Sequence, residues 1–222
     1  MQGLLVVNKP YGWTSMNVIR TVRRLSGEQK VGHAGTLDPL ATGVLLVCLG
    51  SATKKIEQLM ATEKRYRTTF DLSAFSTTDD LEGIIEPLLE VQPPSLATIE
   101  EALTQFVGTI MQTPPRYSAI KTNGVAAYKR AAAGKEFTLT PRPITIHSIT
   151  LISYTWPNLT IEVHCGKGTY IRSLARELGQ ALNTGGYATA IERTAVGPYL
   201  IANAIDPKAI TTLTQEHLLS VL

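Results

Sequence analysis

Residues 142–156, "RPITIHSITLISYTW", and the following "LTIEVHC" alternate apolar and polar side chains on either side of Pro157-Asn158. Two period-two runs joined by a turn pair predict a β-hairpin, which commits the chain to a fold containing antiparallel sheet. The other periodic segments have to be arranged around it. "GLLVVNKP" and "GVLLVCL" predict buried strands, "RYRTTFDL" an alternating strand, and "YATAIERTAVGPYLI" a return to strand near the end. Helical spacing marks "TSMNVIRTVRRL", capped by Thr14 or Ser15 and stopped by Gly27. It also marks "SATKKIEQLM" with Ser51 near its cap, "PPSLATIEEALTQFVG" with Thr98 and Glu101 at capping-box spacing, and "TYIRSLARELGQAL". In the last of these Ile171, Leu174, Leu178 and Leu182 share one face. The expected class is α+β, a mixed and largely antiparallel central sheet decorated with helices. "QTPPRYSAIKTNGVAAYKRAAAGKEF" stands out as an irregular basic insertion leading into a short helix, and a short helical tail is expected over about 203–222.

Charge is distributed in three sections. Residues 1–67 carry a balance of +6, residues 68–110 hold eight acids and no Lys or Arg, and residues 111–222 carry +5. Two basic sections flanking an acidic one suit a polyanionic partner, of which nucleic acid is the commonest. The longest apolar runs are too short to cross a bilayer, and the N-terminus has neither a basic n-region nor a signal-length apolar core. Cys48 and Cys165 both lie in apolar, strand-like surroundings and are expected to be buried free thiols in the cytoplasm.

The chemistry is narrowed by elimination. No Gly-Lys-Ser/Thr follows the glycines of "GHAGTLDPLATG" or "GSATKK", so there is no P-loop. The four histidines are scattered and there is no Cys-x-x-Cys, so no metal is expected. A glycosidase usually uses two carboxylates, whereas Asp38 has no acidic neighbour in sequence. What is left is a single acid in a loop made rigid by Pro39 and open to close approach through its glycines. Alone, Asp38-Pro39 is also an ordinary turn.

"GHAGTLDPLATGVL" resembles the signature motif of the TruB family, the tRNA pseudouridine-55 synthases. "LLVVNKPYGWTS", "KRYRTTFDL", "PPRYSAIKTNGVAAYKRAAAG" and "HCGKGTYIRSLARELG" resemble further family segments in the family's order, so the likeness covers about residues 3–200. The resemblance implies one pseudouridine synthase catalytic domain over 1–222, with the insertion at about 111–136 acting as an RNA-gripping thumb. It implies isomerisation of the uridine at position 55 in the T loop of tRNA: the base is flipped out, its N1–C1′ bond is broken and a C5–C1′ bond is made. No cofactor or metal takes part, the partner is the tRNA T stem-loop, and a cytoplasmic monomer is expected.

Residue by residue, the resemblance makes Asp38 the essential carboxylate, Arg172 its guanidinium partner and Tyr66 the active-site tyrosine. His33 fills the space vacated in the T loop, Tyr170 and Ile191 pack on the flipped nucleotide, and Lys9 supports the loop or a phosphate. Arg20, Arg23, Arg24, Lys64, Lys121, Lys129 and Arg130 are candidate contacts to the RNA backbone. The chain departs from the family pattern at Glu192 in the last motif, and at Ser73 and Thr77 in "SAFSTTDDLEG". Two other functions remain possible from the residues: an N-glycosidase that releases the base, and a tRNA-binding or folding module without turnover.

Overall fold

A computed structural model of the chain describes residues 1–122 and 124–220; the side chains of Lys121 and Thr122 lie outside the described part. In chain order, β1 is Gly3–Lys9, α1 Ser15–Ser26, β2 Val31–Ala34, β3 Thr42–Leu49, α2 Ile56–Ala61 and β4 Lys64–Asp71. Then come β5 Ala74–Ser76, β6 Ile85–Pro87, α3 Leu96–Thr104, β7 Gly108–Gln112, β8 Lys121–Thr122, β9 Val125–Ala126 and α4 Ala127–Ala132. The last elements are β10 Arg142–Thr155, β11 Asn158–Cys165, α5 Ile171–Ala181, β12 Tyr187–Val196 and β13 Tyr199–Leu200.

The chain divides into two compact units, Met1–Arg67 with Ile191–Leu222, and Thr68–Ala190. β4 leaves the first unit at Arg67, and β12 re-enters it at Ile191.

In the first unit β1 and β3 pair antiparallel from Gly3↔Leu49 to Lys9↔Gly43. β2 pairs antiparallel with the second half of β3, while β12 meets its start in parallel at Glu192↔Thr42 and Arg193↔Gly43. β3 is buried from Gly43 to Leu49, and a strand with no alternation needs cover on both faces. One face packs Val44, Leu46 and Cys48 with Leu4, Val6, Ala34, Leu59 and Val196. Gly43 is required at the crossing with β12: its φ is +97°, and a Cβ there would lie 2.3 Å from the Arg193 carbonyl oxygen. α1 has a full capping box between Thr14 and Asn17 and ends on left-handed Gly27.

In the second unit the strand order is β4-β11-β10-β7. The expected hairpin is present, with Thr155 opposite Asn158, and β10 also pairs antiparallel with β7. α5 buries Ile171, Leu174 and Leu178, as its spacing predicts. It lies so close to the loop before β12 that a Cβ on Gly186 would sit 2.1 Å from the Ala175 carbonyl oxygen. Backbone cannot swing aside as a side-chain tip can, so Gly186→Ala should destabilise the protein by about 3 kcal/mol, the upper end for overpacking. Urea unfolding checks this, and a loss within experimental error of zero would contradict it.

The class is α+β with a mixed, largely antiparallel sheet, as expected. Several boundaries need correction. α3 begins at Leu96 with Ser95 as its cap, because the Ser95 side chain accepts the Thr98 N–H; Thr98 is therefore inside the helix. The segment after β3 opens as a 3-10 turn, Gly50–Lys55, and Ser51 is within that turn rather than capping a helix. Among its described residues the tail is not helical beyond the short turns Ile201–Asn203 and Gln215–His217. Instead it lies against β1, with Leu4 and Leu219 exchanging two backbone hydrogen bonds of 2.8 Å. Ile205 accepts from the Asn8 N–H and donates to the Val6 carbonyl.

Candidate active site

Asp38 stands at the first position of a turn between β2 and β3, closed by the Ala41 N–H to the Asp38 carbonyl at 3.1 Å. The side chain is half-buried. The first unit holds this turn from several directions. The Leu37 N–H donates to Ser15 Oγ at 3.0 Å, and the Gly12 N–H donates to the Pro39 carbonyl at 2.9 Å. Lys9, fully buried at the end of β1, donates to the carbonyls of Trp13 at 2.5 Å, Pro10 at 3.1 Å and Pro39 at 3.3 Å. The ammonium ties the Asp38 turn to the loop that precedes α1, which fits loop support rather than a phosphate contact. A buried cation needs such a shell, because each lost water must be replaced by an acceptor.

Arg193 is a further buried cation of this unit. Its Nε donates to the Val44 carbonyl at 2.7 Å, Nη2 to Gly35 at 3.2 Å and Nη1 to Thr36 at 3.5 Å. It therefore joins β12, β3 and the loop leading to Asp38. Strand alternation puts Ile191 on the same buried side as Arg193 and leaves Glu192 half-buried on the other. Tyr66 is half-buried on β4.

His33 lies on β2 with its buried Nδ1 making no hydrogen bond. Burial, reinforced by the nearby Arg193 cation, lowers its pKa from 6.5, so the ring is neutral at pH 7. Protonation then favours the unfolded chain, whose histidine keeps the higher pKa. The stabilising contribution of neutral His33 should be complete above pH 6.5 and be lost as pH falls through the lower folded value. NMR titration of the His33 ring protons should give a midpoint below 6.5, and a midpoint at or above it would contradict the assignment.

The second unit holds Arg172 and Tyr170 at the start of α5. Arg172 is buried and donates from Nη1 to the Thr78 carbonyl at 3.0 Å and from Nη2 to the Tyr117 carbonyl at 2.9 Å. Its Nε lies 3.4 Å from Asp80 Oδ2, and Asp80 is buried as well. One helical turn on, Arg176 pairs with Asp79 and donates to the Thr113 carbonyl at 2.7 Å. Burial raises the Asp79 pKa against the opposing pull of Arg176 and Arg172, and burial likewise raises that of Glu177. Asp79 and Asp80 are carboxylate partners of Arg176 and Arg172 that the sequence does not single out. The available signal was the pairing of two adjacent acids in "TTDDLEG" with two arginines four residues apart on α5.

The proposed RNA-backbone set separates into two kinds. Arg20, Arg24 and Lys129 are exposed. Lys64 is corrected: it is buried, and its ammonium donates to the Met60 carbonyl at 2.6 Å and to the Thr62 carbonyl, closing the end of α2. Arg23 is half-buried and donates to the Val31 carbonyl at 3.2 Å. Arg130 is half-buried, with its Nε enclosed. The Lys121 side chain is outside the described residues.

Neither cysteine is in a disulfide; both are buried, and burial pushes the Cys48 thiol up to about 11. The histidines are less scattered than the sequence suggests, since β10–β11 pairing sets the His147 and His164 rings 4.8 Å apart. Among the described residues no helix is long and apolar enough to cross a membrane.

The TruB family pseudouridylate synthase N-terminal domain matches residues 23–171. The chain is 45% identical over 213 residues to the tRNA pseudouridine synthase B of Thermobifida fusca (strain YX), covering 91% of this chain and 72% of that one. It is 42% identical over 216 residues to the tRNA pseudouridine synthase B of Syntrophotalea carbinolica (strain DSM 2380 / NBRC 103641 / GraBd1), covering 97% and 71%. Among solved structures, a chain from the crystal structure of a Cbf5-Nop10-Gar1 complex superposes with a TM-score of 0.72 at 27% identity; the match covers 92% of this chain and 52% of that one, about half its length. With a family match over most of its length and relatives above 40% identity, the chain belongs to the TruB family of pseudouridylate synthases.

Proposed function

We propose that the protein converts the uridine at position 55, in the T loop of tRNA, into pseudouridine. The observation that carries this reading is the Asp38 turn, which bears a half-buried carboxylate on a backbone held by Lys9, Ser15 and Gly12, within a chain 45% identical to a tRNA pseudouridine synthase B. A single fixed acid suits an intramolecular exchange of glycosidic bonds. The reaction breaks N1–C1′, turns the base and makes C5–C1′; C5 loses a proton and N1 gains one, so no atom or electron is supplied from outside.

In this reading the target nucleotide leaves the stack, at the cost of its stacking energy. The Tyr66 ring, Tyr170 and Ile191 pack on it, and neutral His33 occupies the space left in the loop. Asp38 acts at the sugar, as nucleophile at C1′ or as base on a sugar proton. Arg172 is the guanidinium that favours the ionised carboxylate. Arg20, Arg24 and Lys129 contact phosphates and hold the RNA without choosing the base.

The test is unmodified tRNA, and separately an isolated T-arm hairpin, incubated with the protein and analysed by mass spectrometry after a pseudouridine-specific adduct reaction. Pseudouridine at position 55 alone is expected. Free uracil would replace the reading with N-glycosidase activity, and binding with unaltered uridine would replace it with an RNA-binding module. Because the exchange is redox-neutral and needs no Lewis acid, exhaustive dialysis against a chelator should leave the rate on the hairpin unchanged; a rate restored only by added zinc or magnesium would contradict this.

A further inference from the structure

We propose that Gln112 and Arg142 form a clamp at the neck of the insertion and are positioning residues for Tyr170 and, through it, for the first turn of α5. The inference rests on the functional reading above. The two residues are cross-strand partners at the last rung of β7 and the first of β10, so the insertion leaves the sheet at one and returns at the other. Partners on such a rung put their side chains on the same face.

Both side chains close on one segment. The buried Gln112 amide makes two hydrogen bonds with the Tyr170 backbone: Nε2 donates to its carbonyl at 3.1 Å and Oε1 accepts its N–H at 2.8 Å. The Arg142 guanidinium lies over the Tyr170 ring, 5.2 Å from its centroid, and donates from Nη2 to the Gly168 carbonyl at 3.1 Å. Tyr170 caps α5 without a side-chain hydrogen bond of its own, so Gln112 supplies what fixes it.

Past the neck the insertion stays fastened to the same helix. The Thr113 N–H donates to Glu177 Oε1 at 2.9 Å, and the Tyr117 carbonyl accepts from Arg172. A shift of the insertion is thereby transmitted to Tyr170 and Arg172 rather than absorbed in a slack hinge. RNA gripped by the insertion then sets the geometry of the groups that act on the nucleotide.

The experiment compares wild type with Gln112→Met, Arg142→Met and Arg142→Lys. It measures single-turnover pseudouridine formation on the T-arm hairpin, hairpin affinity, thermal unfolding and amide exchange at Tyr170. Gln112→Met should slow single turnover by about tenfold to a hundredfold through misplacement alone, with a much smaller change in affinity. Its Tyr170 amide should exchange at least about tenfold faster, as expected when a local opening loses its acceptor. Arg142→Met should slow turnover in the same way, and Arg142→Lys should recover most of the rate because a cation over the ring remains. Should Gln112→Met fail to fold, the two Arg142 variants decide.

Unchanged turnover in the folded variants, or unchanged Tyr170 exchange in Gln112→Met, would overturn the clamp. So would losses matched by an equal fall in the folded fraction. A wild-type protein that makes no pseudouridine would overturn the functional reading instead, and Tyr170 exchange would still decide the clamp.

Discussion

Asp38→Asn should abolish pseudouridine formation while leaving tRNA binding intact. Asparagine keeps the size of the side chain, and the turn is held through backbone groups: the Asp38 carbonyl accepts from Ala41, and its neighbours Leu37 and Pro39 are held by Ser15, Gly12 and Lys9. The loop should therefore keep its shape and lose only the carboxylate. Removing a group that attacks the sugar or takes a proton from it should slow single turnover by at least about a thousandfold. Gel-shift affinity for unmodified tRNA should match wild type. A variant turning over within tenfold of wild type would remove Asp38 from the reaction.

Arg193→Met should be the most damaging change to stability among the buried cations of the first unit. Methionine fills part of the volume but offers no donor, so the carbonyls of Val44, Gly35 and Thr36 lose theirs together. Leaving such groups unsatisfied costs about 1–3 kcal/mol each, and partial relaxation should bring the total loss to about 3–5 kcal/mol. Urea unfolding measures it, and a loss under about 1 kcal/mol, the range of an ordinary surface change, would refute the role. The same variant carries a second signal. Arg193 is one of the two causes that lower the His33 pKa, so its removal should move the His33 titration midpoint up towards 6.5.

Legibility in the sequence followed length and period. The β10–β11 hairpin, α1 and α5 each run for eight residues or more, enough for two or three turns of their pattern to show. β2, β5, β6 and β7 are three to five residues long and carry no usable period, so they were not foreseen. The motif residues of the site were legible only through resemblance, because a lone acid beside proline has the composition of any turn. What the sequence concealed was the fate of the cations. Lys9, Lys64 and Arg193 have nothing in residue type to set them apart from solvated surface charge, yet each is buried against backbone carbonyls: those of the preceding helix end for Lys64, of its own loop and of Pro39 for Lys9, and of distant segments for Arg193. Carbonyl cages leave no mark in residue type, and neither does the register that brings His147 to His164.

The tail's contact with β1 bears on how the molecule behaves in a crowded solution. β1 is the terminal strand of its sheet order and one of the most apolar stretches in the chain, "GLLVVNK". Its outer edge presents the backbone groups that another copy's strand would add to, and such an edge on an apolar strand is a template for polymerisation. Leu219 occupies that edge at Leu4, and Ile205 occupies it at Val6 and Asn8. These two clasps occupy the edge positions that an added strand would need. Removing the tail would bare the backbone groups of Leu4, Val6 and Asn8 on an apolar edge, the kind of edge to which another strand can add.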